Sequence, residues 1–298
     1  IITHFAPTTP AYERLTSKAL SSSGAACILG ELYWRGWGVA ENKTQAKKHY
    51  ETACEQDPYA NFSLAYLHNQ NAASIASRGG SEEKYNTALE SALFHAQKAV
   101  DLGAQVINCS WGGGTVSGIL SAKIQELKDN NITVVFSAGN DSSNLDSDGT
   151  TDESELSSVI GVGASSVEND ITSYSNYGSQ IDLIAPAGGN TTDGLLGVLS
   201  LDLTGTNGIN TSTQLGLVNY NYSFVQGTSF SAPTVSGVVA LLLAAKPTLT
   251  ANEIRQILID TADKVGTSNG ADYSVNNFDV KRAYGKINAG NAVTEALK

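Results

Sequence analysis

The chain has 298 residues, 41% of them hydrophobic and 16% charged, enough to bury one large or two modest cores. A net charge of −11 without any basic cluster argues against nucleic acid and anionic membrane surfaces as partners. No apolar stretch reaches the roughly 20 residues that span a bilayer, so no membrane span is expected. Without a signal peptide or any Met, the sequence reads as a processed or partial product, and its acidic, lysine-poor composition suits a secreted or cell-envelope protein.

In chain order, residues 1–22 show no clear period and contain Pro7 and Pro10, which reads as an arm or linker. From Gly24 small and apolar residues recur at three- and four-residue steps on both sides of a Gly36-Trp37-Gly38 turn, the pattern of an αα-hairpin. A second hairpin is expected to start at Tyr59 and to close with a helix over 88–103, after an irregular insertion around Asn69 to Asn86. Tyr33, Trp34 and Trp37 are expected to pack hairpin against hairpin, an exposed aromatic binding surface being the other reading. Short β-prone runs follow at 105–109, 132–136, 159–162 and 181–184. Between the first two, Val116, Ile119, Leu120, Ile124 and Leu127 form a helical stripe. Thr250 and Glu253 form a capping box for a helix over 254–259. Strands alternating with helices predict an α/β fold: a mostly parallel sheet with helices on both faces, and active groups at the carboxyl ends of the strands.

The most informative stretch is Gly227-Thr228-Ser229-Phe230-Ser231-Ala232-Pro233. It delivers a serine to the first turn of a helix that is apolar nearly all round and is therefore expected to be buried. There the hydroxyl and nearby free backbone N–H groups point at one spot where developing negative charge is stabilised. This motif resembles the nucleophile motif of the subtilase family of serine proteases. Further segments match that family in order: residues 106–113, 134–140, 171–178 with 181–186, and 284–289. The resemblance covers roughly residues 88–293 and implies a subtilisin-like domain over 88–298. Residues 25–53 resemble a Sel-like repeat, a relative of the tetratricopeptide repeat, which implies an N-terminal α-helical repeat region over 23–87, or to 103 if the last helix is counted with it.

The subtilase resemblance implies residue roles. Ser229 would be the nucleophile and Asn140 the side-chain donor to the oxyanion. Ser110, Trp111 and Gly112 would form a peptide-binding edge, with Trp111 in place of the usual Leu. Ser137, Ala138 and Gly139 would floor the pocket for the residue before the scissile bond. A serine hydroxyl needs a histidine to take its proton and an aspartate to orient that histidine. The family supplies these from Asp-Ser/Thr-Gly and His-Gly-Thr-His motifs ahead of the Val-Ile-Asn segment, and neither motif is found here. His49 and His95 fall on second helices of the repeats, where surface or groove placement is expected; His68 and His4 lack the motif as well. Asp57 and Asp101 read as solvated caps.

Three readings stay open. The chain is the nucleophile-bearing part of a serine endopeptidase, with Asp and His on a missing or second segment and a peptide or protein as substrate. Alternatively it is an inactive pseudo-protease that binds peptides or proteins through its sheet edge and repeats. In the third reading the repeats act as an adaptor on a scaffold. No cofactor is expected; calcium enters only through the family resemblance, since Asp141, Asp146, Asp148 and Asp152 read as a solvated acidic turn. Cys27 and Cys54 are expected to pair if the protein is exported, and Cys109 to be a free core thiol.

Overall fold

A computed structural model describes residues 16–19, 21–35, 39–111, 115–147, 149–189, 197–201 and 222–298. The arm with His4, the turn at 36–38, Gly112 and Asp148 lie outside the described residues. Two compact units emerge, one ending at Ala104 and the other beginning at Gln105.

The first unit is helical: α1 (Ser23–Arg35), α2 (Lys43–Ala53), α3 (Pro58–Ser77) and α4 (Glu82–Asp101). Asn42 caps α2 by accepting from Gln45 N at 3.0 Å, and Asp57 caps the start of α3 by accepting from Ala60 N at 3.1 Å. Ala26, Leu29 and Leu32 of α1 meet Ala46, Tyr50 and Ala53 of α2 and Ala60 and Leu64 of α3 in one buried cluster, with Tyr33 and Trp34 packed against it. Tyr33 and Trp34 thus serve packing, while Trp37 lies outside the described residues.

Two expectations are corrected in this unit. Residues 69–86 are not an irregular insertion: α3 runs on to Ser77, and only the turn around Gly79 and Gly80 separates it from α4. Ala72, Ala73 and Ala76 keep helix propensity high across a stretch whose Asn and Ser content suggested a loop. Cys27 and Cys54 are both free thiols. Their sulfurs are engaged elsewhere, Cys27 with the Asp57 carboxylate and Cys54 with the Glu51 carbonyl.

The second unit is built on a sheet in which β1 (Val106–Cys109), β2 (Thr133–Ser137), β3 (Ile160–Ser165) and β4 (Leu183–Pro186) lie side by side and parallel. Helix α5 (Gly118–Asp129) links β1 to β2 and packs on β2; Ile124 and Leu127 of the sequence stripe are buried. After the antiparallel pair β5 (Val198–Leu201) and β6 (Tyr222–Val225) comes α6 (Thr228–Ala245), which lies across all four parallel strands. Val135, Ile160, Val162, Leu183 and Ala185 of the sheet meet Ala232, Val235, Val238, Val239 and Leu242 of α6 in the main core. Helices α7 (Ala251–Asp260), capped by the predicted Thr250–Glu253 box, and α8 (Ala289–Ala296) complete that core.

The apolar composition of α6 overstated its burial. One face is buried, but Leu241 is 53% exposed, because a helix laid on a sheet covers only one side of itself. The acidic loop is also not simply solvated. Asp152 is buried as the N-cap of a short helical turn, Asp146 accepts from Ser179 N and Oγ, and Asp141 is exposed.

Candidate active site

The strands and α6 bring three chain segments together. Strand β2 ends at Ser137, and the chain turns through Ala138 and Gly139 to Asn140. Gly139 has φ +98°, and a Cβ there would stand 2.5 Å from Asn176 Nδ2. Only glycine fits that turn. Asn176, buried, holds the turn's far side: its Oδ1 accepts from Asp141 N at 2.9 Å and Ser143 N at 3.0 Å.

The second segment is the turn into α6. Gly227 has φ +131° and donates its N–H to Ala187 O at 3.0 Å and Tyr174 Oη at 3.1 Å. Thr228, fully buried, then locks the two turns together. Its N–H and Oγ1 both donate to Asn140 Oδ1, at 2.8 and 3.0 Å, while its Oγ1 accepts from Gly139 N at 3.2 Å. Because Oδ1 receives a backbone N–H, the Asn140 carboxamide has one orientation, and its Nδ2 is the free end. Among the described residues Nδ2 has no acceptor. Nor does the backbone N–H of Ser229, the second residue of α6, where helix N–H groups lack intrahelical partners. A methyl built on Gly227 would lie 3.7 Å from Asn140 Nδ2 and 3.9 Å from Ser229 N. The two donors therefore border one small space, which glycine leaves open.

The third segment follows β1. Ser110 and Ser229 exchange hydrogen bonds: Ser110 Oγ donates to Ser229 O at 2.8 Å, and Ser229 Oγ donates to Ser110 O at 3.2 Å. Trp111 packs edge-on against Phe136, ring centroids 5.0 Å apart, and its carbonyl accepts from Ser137 Oγ at 3.5 Å. Ser110, Trp111, Ser137, Gly139, Asn140 and Ser229 thus gather at the carboxyl ends of β1 and β2. Ala138 differs: its methyl packs with Leu145, Ile181 and Ala283, which leaves only its backbone to the site. Sequence reasoning missed Thr228, Tyr174 and Asn176 as the groups that fix the site's turns.

No histidine occurs in residues 105–298. The described histidines belong to the helical unit. His68 and His95 stack with centroids 5.7 Å apart, His95 Nδ1 meets Asn61 Oδ1 at 2.9 Å, and His49 stacks on Tyr33. Burial holds all three below the ordinary imidazole pKa, favouring the neutral ring. Among the described residues no group of three or more His, Cys, Asp or Glu is arranged to hold a metal.

Residues 62–285, a stretch that begins inside α3, match the subtilase family model. The chain belongs to the subtilase family. Over 189 residues it is 35% identical to a probable subtilase-type serine protease of Deinococcus radiodurans, covering 63% of this chain and 24% of that protein. A solved protease of Pseudoalteromonas arctica is 32% identical with a TM-score of 0.51, covering 64% of this chain and 51% of that one. A solved lanthipeptide protease is 28% identical with a TM-score of 0.57, covering 69% of this chain and 66% of that one. The chain spans about a quarter to two-fifths of the length of curated relatives such as these proteases. Its parallel sheet with packed helices is the subtilisin-like α/β architecture, and the subtilase relationship gives it peptidase kinship at the level of the family.

Proposed function

We propose that this subtilase chain supplies the nucleophile and the oxyanion donors of a serine endopeptidase. Ser229 Oγ attacks the scissile carbonyl, and the tetrahedral oxyanion lies in the space bordered by Asn140 Nδ2 and Ser229 N–H. A general base takes the Ser229 proton and returns it to the leaving amine, leaving an acyl-enzyme that water hydrolyses. The observation that carries this reading is the pair of unengaged donors bordering one space at Ser229, with Asn140 held there by Thr228. Residues 110–112 bind peptide substrate in extended form, and residues 137–139 contribute the pocket floor. The base and its aspartate come from a segment outside 105–298, since that stretch holds no histidine. Helices α1 to α4 act as Sel-like repeats in this proposal, and a secreted or cell-envelope setting goes with the acidic, lysine-poor composition.

A second reading has its own support. The Ser229 hydroxyl already donates to the Ser110 carbonyl, and without a base it stays there, so the chain binds peptides without cutting them. Fluorophosphonate treatment of the naturally sourced protein, followed by peptide mass spectrometry, separates the two. Label on Ser229, absent in Ser229→Ala, supports the enzyme. No label under conditions where an ordinary subtilase reacts overturns it in favour of the binding protein.

A further inference from the structure

Pro233 lies inside α6, four residues after Ser229. A helical carbonyl normally accepts from the N–H four residues on, and proline has none; its ring also crowds that carbonyl. The carbonyl deprived of its helical donor is therefore that of Ser229 itself. In its place stands the Ser110 hydroxyl, 2.8 Å away.

That hydroxyl is held by a relay. Asn108 Nδ2 donates to Ser110 Oγ at 2.9 Å, so the proton of Ser110 Oγ is left for Ser229 O. Asn108 Oδ1 in turn accepts from Ser236 Oγ at 3.1 Å, a hydroxyl whose single proton is shared with Ala232 O at 3.0 Å. Ser236 sits on α6 two turns beyond Ser229, so the relay leaves the helix, crosses to the end of β1 and returns to the same helix. Asn108 points to α6 because strand alternation sends Ile107 and Cys109 to the other face.

We propose that Asn108 and Ser236 are positioning residues that, through Ser110, hold the Ser229 carbonyl in place of the N–H that Pro233 lacks. The motif proline thereby frees one acceptor at the serine, and the relay uses it to couple the serine to the strand that ends in Ser110. The catalytic consequence rests on Ser229 being the nucleophile; the structural coupling does not.

The test is a double-mutant cycle on the full chain, read by urea unfolding together with the rate of fluorophosphonate labelling. Ser110→Ala leaves the Ser229 carbonyl without its donor and is expected to lower the folded-to-unfolded ratio about tenfold. In a Pro233→Ala background the restored N–H satisfies that carbonyl, so the same change should cost less than about threefold. Asn108→Asp keeps the shape but cannot donate to Ser110. It should slow labelling of Ser229 as Ser110→Ala does, and Ser110→Thr, which keeps the hydroxyl, should label faster than Ser110→Ala. An equal cost of Ser110→Ala in both backgrounds overturns the relay, and unchanged labelling in Asn108→Asp and Ser110→Ala overturns its positioning role. A parent chain that takes no label removes the nucleophile reading alone, and the unfolding cycle then decides the relay.

Discussion

Glu153 is 8% exposed, and its Oε2 has no hydrogen-bond partner. Burial, with a smaller contribution from the neighbouring Asp152 charge, raises its pKa from 4.5 to about 7. The folded state therefore favours the protonated form. The penalty is absent below about pH 4.5, grows as pH rises toward 7, and is constant above that. At about 1.36 kcal/mol per unit, the shift corresponds to about 3 kcal/mol lost by pH 8. Glu153→Gln cannot ionise and should stabilise the sheet unit by up to about 3 kcal/mol at pH 8 and by little at pH 4. Trp111 is the one tryptophan in residues 105–298, so Trp34→Phe with Trp37→Phe makes its fluorescence a reporter of this unit. Urea unfolding across that pH range gives the comparison. Asp182, also raised by burial, adds a slope of the same sign in both proteins, so the difference between them is diagnostic. A constant gain at every pH, or none at pH 8, would refute the reasoning.

Three further outcomes follow from the same geometry. Asn140→Leu removes one donor to a developing charge, a loss of about 1.5–3 kcal/mol, so labelling of Ser229 should slow at least about 10- to 100-fold; it also strips the buried Thr228 N–H and Oγ1 of their acceptor, so the unfolding midpoint should fall. Gly227→Ala puts a methyl between the two donors at a φ that alanine rarely adopts; it should lower both the labelling rate and the midpoint, whereas a parent-like rate would show that the space is not used. Arg255→Leu strips the buried Asp182 of the guanidinium 2.5 Å from it, which should cost about 3 kcal/mol in unfolding free energy, and adding Asp182→Asn should recover part of that.

The parallel sheet was legible because its strands are short apolar runs bounded by turn residues, and the Thr250–Glu253 box because capping is local chemistry. The turn carrying Ser229 was legible for the same reason. What escaped the sequence acts across long separations. Asn176 and Tyr174 entered only as part of the matching segment 171–178, yet their side chains fix the turns at Asn140 and Gly227. Asp152 looked like one more solvated acid, and only the fold shows it buried in a cap. The exposure of Leu241 could not be foreseen because helix composition does not say which side meets the sheet. The β5–β6 pair was not legible, because Val198 and Val225 become partners only through tertiary pairing.

The bonds that set the serine's surroundings join residues 119 and 88 positions apart in the chain. Such contacts close late, since loop-closure entropy must be overcome before they form. During synthesis, a chain that has emerged only through α5 already holds Ser110 but not the Ser229 carbonyl to which its hydroxyl donates. The arrangement around Ser229 cannot exist until α6 has left the ribosome at least as far as Ser236. At typical elongation rates of about 5–20 residues per second, that leaves an interval of about 5–20 seconds in which the growing chain carries the strand end without a formed nucleophile turn.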